Sequence, residues 1–146
     1  MIDREALAPL EVAPRAERLR GALAGAQVDA LLVTDLTNIT YLTGFTGSAA
    51  LLLVTEAGLT FVTDGRYGEQ AEAQLGAAGV EAEIEVSSTE QRRIVAAAVD
   101  AASVTRLGLE ADAVTWSQQR AYDDTWFPAV DLVPTSGLVA ALRIRK

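Results

Sequence analysis

Apolar positions along this chain follow two rhythms. Between Pro14 and Ala26 they recur every third or fourth residue, at Ala16, Leu19, Ala22 or Leu23, and Ala26, the stripe of a helix with one buried face. Pro14 suits the first turn of such a helix, where its missing N–H is not needed. Arg15, Glu17, Arg18 and Arg20 fall on the opposite face. From Asp29 the period changes: Ala30-Leu31-Leu32-Val33 is a continuous apolar run, the pattern of a short strand covered on both sides. Asp35 to Ser48 is polar and turn-rich, with Gly44 and Gly47. Ala49 to Val54 is a second apolar run, and Glu56-Ala57-Gly58 is a hairpin signal before Leu59 to Thr63, so these two strands should be antiparallel neighbours. A helix should open at Gly65 and run to about Ala77, with Gly76 and Gly79 marking its end.

The second half alternates strand and helix. Glu81, Glu83 and Glu85 interleave with Ala82, Ile84 and Val86, the period-two pattern of a half-exposed edge strand. Ser88 or Thr89 is placed to cap a helix reaching about Ala102, Arg106 to Glu110 reads as a strand, and Thr115 as the cap of a helix through about Tyr122. Val130 to Val133 predicts a last strand, and Ser136 the cap of a final helix. The sum is an α/β domain: a mixed sheet of about six strands with helices on its faces.

Composition narrows the chemistry. The 146 residues carry a net charge of −8, with neither histidine nor cysteine. One compact domain is expected, since a chain of about 150 residues buries roughly 68–70% of its unfolded surface. Without cysteine or histidine there is no disulfide, thiolate nucleophile, Ser-His-Asp triad or His-ligated metal motif. The acidic balance argues against nucleic acid, the one basic cluster being Arg143, Arg145 and Lys146. No apolar run approaches the roughly 20 residues of a membrane span. Asp3, Glu5 and Glu11 are unlike a secretory leader, which points to the cytoplasm.

Four features carry candidate chemistry. Asn38-Ile39-Thr40-Tyr41-Leu42-Thr43-Gly44-Phe45-Thr46-Gly47-Ser48 is either a loop of fixed shape presenting Phe45 or a turn with Tyr41 and Phe45 tucked into the core. Thr63-Asp64-Gly65-Arg66-Tyr67 lies where a strand passes into a helix. Asp64 is either a helix cap beside a surface arginine, or part of a site in which the Arg66 fork meets a carboxylate. Asp35, Asp64, Glu110 and Asp112 each follow a strand and could converge on metal ions for phosphodiester cleavage, a reading the acidic surface disfavours. Trp116, Tyr122, Trp126 and Phe127 form an aromatic region, read as a satellite core or a partner-binding patch.

Taken in order, Asp29 to Thr34, Asn38 to Ser48, Thr63 to Tyr67 with Gln70-Ala71, and Leu132-Val133-Pro134 followed by Ser136 to Val139 and Leu142-Arg143 resemble the N-terminal domain of the creatinase/prolidase family. These are Xaa-Pro aminopeptidases and Xaa-Pro dipeptidases. The likeness runs from about residue 15 to the terminus and implies a ribonuclease H-like sheet with flanking helices. It divides the chain into a loose lead-in (1–13), the N-terminal-like domain (14–134) and the start of a helix (135–146) leading to a C-terminal catalytic domain. The final helix, cut off in mid-course, reads as continuing into that domain. There the family holds two metal ions, usually manganese, through two Asp, one His and two Glu, and a bridging hydroxide attacks the bond before proline. None of those ligands can be placed in this chain, so the resemblance implies no catalytic residue, metal or cofactor here. It implies a domain that builds the homodimer and helps wall the partner subunit's active site around short proline-containing peptides. Phe45, Asp64, Arg66 and Tyr67 are the expected wall, with Asn38, Gly44, Gly47 and Gly65 shaping its loops. The alternative is a free-standing small-molecule or peptide-binding module of the same fold.

Overall fold

The structure, a computed structural model, describes residues 12–144. Most of the expected lead-in and the last two basic residues lie outside them. The described elements are α1 (Arg15–Leu23), β1 (Ala30–Val33), α2 (Leu36–Thr43), β2 (Leu51–Thr55), β3 (Leu59–Thr63), α3 (Gly68–Ala77), β4 (Glu83–Val86), α4 (Gln91–Ala101), β5 (Arg106–Glu110), α5 (Trp116–Ala121), a π-helical turn (Tyr122–Trp126), β6 (Asp131–Thr135) and α6 (Leu138–Arg143). Six strands form one mixed sheet in the order β4-β3-β2-β1-β5-β6. β2 is antiparallel to both its neighbours, whereas β3–β4, β1–β5 and β5–β6 run parallel.

β1 shows why the sheet forms where it does. All four of its residues are buried, and successive side chains enter opposite layers: Leu31 and Val33 one core, Ala30 and Leu32 the other. Burying one such leucine contributes roughly 1.5–3 kcal/mol. The first core is closed by α1, α2, α3 and α6 through Leu19, Ile39, Leu75 and Val139; the second by α4 and the π-helical turn through Val95, Val99 and Tyr122. At the amino ends of the parallel pair, the Asp29 carboxylate accepts hydrogen bonds from the backbone N–H of Thr105 (2.9 Å) and Arg106 (3.0 Å) and from the Thr105 hydroxyl (2.9 Å). The Thr105 N–H bond, followed by that from Arg106, holds this carboxyl below its ordinary range.

Several boundaries differ from expectation for local reasons. Residues 36–43 form a helix rather than loop: Asp35 caps it by accepting from Thr37 N–H (2.8 Å), and Ile39 and Leu42 bury its inner face. The helix after β3 begins at Gly68, so Asp64 closes a turn instead of capping a helix. Ser87, not Ser88 or Thr89, bonds the N–H groups of Thr89 and Glu90 ahead of α4. The last strand extends to Thr135 and includes Pro134, which an edge strand tolerates. Gly137 (φ +73°), not Ser136, precedes α6. Thr115 caps α5 as expected, in a reciprocal capping box with Gln118.

Candidate functional site

The strand directions bring the loops after β1, β3, β5 and β6 to one edge of the sheet, the carboxyl edge. Ligands of open α/β sheets bind outside such an edge.

After β3 the chain makes the turn Asp64–Tyr67. Asp64 Oδ1 accepts from the Arg66 backbone N–H (3.0 Å) and Nε (3.1 Å), and Oδ2 accepts from Arg66 Nη2 (2.8 Å). The guanidinium is thus gripped in a fork by a carboxylate only two residues away. The Arg66 side chain remains 66% exposed while that of Asp64 is 17% exposed. The same guanidinium lies 4.9 Å from the centroid of the Tyr67 ring. The side-chain bond from Arg66 lowers the Asp64 carboxyl, and the bond to Asp64 raises the arginine. Tyr67 and Ser48 share a hydrogen bond of 2.6 Å between their hydroxyls, the main cause of a lowered Tyr67 pKa.

Phe45 stands directly behind this turn. Its ring meets Phe61 edge-on at 4.9 Å and Tyr67 at 5.6 Å, with no exposed surface. The expectation that Phe45 itself faces a pocket is therefore corrected: it is a core residue that braces Tyr67. Thr40 Oγ1 donates to the Phe45 carbonyl (2.6 Å), and the Phe45 N–H donates to Thr43 Oγ1 (3.1 Å). Gly44 takes the left-handed conformation (φ +84°) that ends α2. At Gly47 a Cβ would lie 2.9 Å from the Tyr67 ring, so a side chain there would push the ring aside. Gly65 has open space around it and an ordinary φ, and nothing in the turn requires glycine there. Gln74, which sequence reasoning missed, fixes the loop from α3 by accepting from Thr46 N–H and donating to Thr46 Oγ1, both at 3.0 Å. Its position one helical turn after Gln70 was the available signal.

Asn38, expected to shape a loop, is a helical residue with a different role. Its Nδ2 donates to Glu110 Oε2 (2.6 Å), while Glu110 Oε1 accepts from the N–H groups of Thr34 (2.8 Å) and Asp35 (2.9 Å). Glu110 is 8% exposed, and its desolvated charge is compensated by those three donors. Of the four carboxylates flagged in the sequence, Asp35, Glu110 and Asp112 border one crevice and Asp64 does not. Among the described residues, no three acidic side chains come together in a group able to hold a metal ion. The aromatic region divides: Tyr122 and Phe127 are buried, whereas Trp116 is 76% exposed. No helix among the described residues is long and apolar enough to cross a membrane.

Known proteins share this architecture. An Xaa-Pro dipeptidase from Bacillus anthracis superposes with a TM-score of 0.79 and 36% identity, covering 90% of this chain and 36% of that one. The N-terminal domain of the cytoplasmic peptidase PepQ from Mycobacterium tuberculosis H37Rv superposes with a TM-score of 0.76 and 35% identity, over 90% of this chain and 99% of that one. The uncharacterized peptidase YqhT of Bacillus subtilis (strain 168) is 35% identical over 130 residues, which are 89% of this chain and 35% of the relative. The chain thus spans about a third of the length of that curated relative. Residues 15–145 match the Creatinase/Prolidase N-terminal domain. With sequence, sheet order and relatives in agreement, the chain belongs to the creatinase/prolidase N-terminal domain family.

Proposed function

We propose that this chain is the non-catalytic N-terminal domain (residues 14–134, with the helix from 135 leading onward) of a cytoplasmic, metal-dependent Xaa-Pro peptidase. In the whole protein it joins its own catalytic domain, supports a homodimer, and lends the Asp64–Tyr67 turn to the partner subunit's substrate pocket. The parent enzyme hydrolyses the peptide bond before proline, with two divalent ions, manganese by preference, in the catalytic domain.

The observation that carries this reading is the Arg66 fork. A short peptide ends in a carboxylate, and an exposed guanidinium held in a fixed turn is a pre-set partner for one. Tyr67 supplies an aromatic wall beside it, and Phe45 works from beneath by fixing the Tyr67 ring. Further support comes from the family and from the similarity to the Xaa-Pro dipeptidase from Bacillus anthracis.

The test uses the full-length protein with manganese and paired Xaa-Pro and Xaa-Ala dipeptides. Selective cleavage of the proline peptides is expected, with Arg66→Ala raising KM at least tenfold and leaving kcat within about threefold. No cleavage, together with direct binding of Xaa-Pro peptides to the isolated chain, would instead make it a free-standing peptide-binding module.

A further inference from the structure

One side chain of α2 is bonded to the last helix, and its neighbour is bonded to the loop behind the Arg66 turn. The Tyr41 hydroxyl donates to the Leu142 carbonyl (3.1 Å), one of the carbonyls that the final turn of a helix leaves to outside partners. Val139 and Leu142 are the buried residues of α6, and among the described residues the Tyr41 bond is the one side-chain hydrogen bond made to that helix. Arg15, expected on the exposed face of α1, turns back over Tyr41 instead. Its guanidinium lies 4.2 Å from the ring centroid, and its Nη1 donates to the Tyr41 carbonyl (2.8 Å), which holds the ring in place.

The end of α2 is fastened just as closely to Phe45. The Thr40 hydroxyl donates to the Phe45 carbonyl (2.6 Å), the Gly44 N–H donates to the Thr40 carbonyl (2.8 Å), and Thr43 Oγ1 accepts the Phe45 N–H (3.1 Å). Phe45 in turn stands edge-on to Tyr67, whose ring carries the Arg66 guanidinium. Leu142 to Tyr41, Thr40 to Phe45 and Phe45 to Tyr67 are thus successive direct contacts. The helix between them is short and capped at both ends, by Asp35 and by Gly44. Close packing leaves α6 little room to shift without α2 and Phe45 following.

Given the reading of the Asp64–Tyr67 turn as part of a peptide site, on which this rests, we propose that Tyr41 is a positioning residue. Its hydroxyl ties the end of α6 to α2, so the seating of α6 sets where Arg66 and Tyr67 stand. In the ¹⁵N-labelled 146-residue chain, Tyr41→Phe should speed amide exchange at Leu142 and Arg143 and shift the amide signals of Phe45, Thr46, Arg66 and Tyr67. Arg15→Met, which leaves the hydroxyl in place, should move the same signals less. Thr115→Ala, which removes the cap of α5, should move neither set. In the full-length protein with manganese, Tyr41→Phe should raise KM for Xaa-Pro dipeptides roughly threefold with kcat within about twofold, and the difference should vanish in an Arg66→Ala background. Shifts confined to α6 and the surroundings of Tyr41 overturn the proposal. So does a KM that Tyr41→Phe leaves unchanged while Arg66→Ala raises it, or a Tyr41→Phe effect that persists without Arg66. If Arg66→Ala itself leaves KM unchanged, the peptide-site reading falls instead, and the shifts alone decide whether Tyr41 positions the turn.

Discussion

Asn38 and Glu110, 72 residues apart in sequence, meet at 2.6 Å across the carboxyl ends of β1 and β5. The contact completes a carboxylate that also gathers the backbone N–H groups of Thr34 and Asp35 between β1 and α2. Glu110→Ala orphans all three donors and should cost roughly 2–4 kcal/mol. Glu110→Gln keeps one carbonyl acceptor for the backbone and should cost less. Urea unfolding midpoints of the two variants test that order; equal losses would show that the full carboxylate, and not the one retained carbonyl or the side-chain volume, is what matters here.

Asp29 makes stability depend on acid. Its folded carboxyl lies below its unfolded value of about 3.9, so its contribution is complete above that value and disappears as pH falls through the lower folded one. Asp29→Asn should therefore be least stable relative to the parent at neutral pH, with the gap closing below about pH 4. Denaturation series from pH 7 to pH 3 check the sign; a gap that widens in acid would contradict it.

The tyrosines should separate on titration. Tyr67 is lowered by its bond to Ser48, and burial raises Tyr122. In ultraviolet difference spectra the Tyr67→Phe variant should lack the earliest ionisation, below about pH 10, and Tyr122→Phe the latest. Ser48→Ala should move the early step upward.

Gly47→Ala presses a methyl group into the Phe45–Tyr67 pair. Overpacking of this kind costs roughly 1–3 kcal/mol. Calorimetry should show a lower Tm, and the Tyr67 ionisation should return toward its ordinary value as its contact with Ser48 loosens. An unchanged Tm would mean the loop absorbs the methyl without moving either ring.

The strands were legible in the sequence because burial on both faces leaves a continuous apolar run, as in Ala30–Val33, whereas an edge strand alternates charged and apolar positions, as from Glu81 to Val86, of which Glu83–Val86 form β4. The helix at 36–43 was not. Its Thr, Asn, Ile and Tyr residues have modest helix propensity, and the helix is held by the packing of Ile39 and Leu42 and by the Asp35 cap. The sequence singled out Asp64 and Arg66 but not their pairing, which appears only once the turn after β3 is in place. Phe45 was ambiguous because an aromatic between two glycines fits a loop or a core equally well until Phe61 is placed beside it. The Glu110 cluster stayed hidden for a different reason: no local pattern announces a partner so distant along the chain.

The parallel strands β1 and β5 are fastened by a carboxylate at each end, Asp29 gripping the start of β5 and Glu110 the end of β1. Each clip takes two backbone N–H groups, so neither tolerates a slip of one residue, which would also exchange the two cores. The consequence is mechanical. Force drawing β1 along β5 loads both clips in shear at the same moment, whereas force peeling an outer strand such as β4 meets neither. Under tension the sheet should open from its edges and keep its central pair until last.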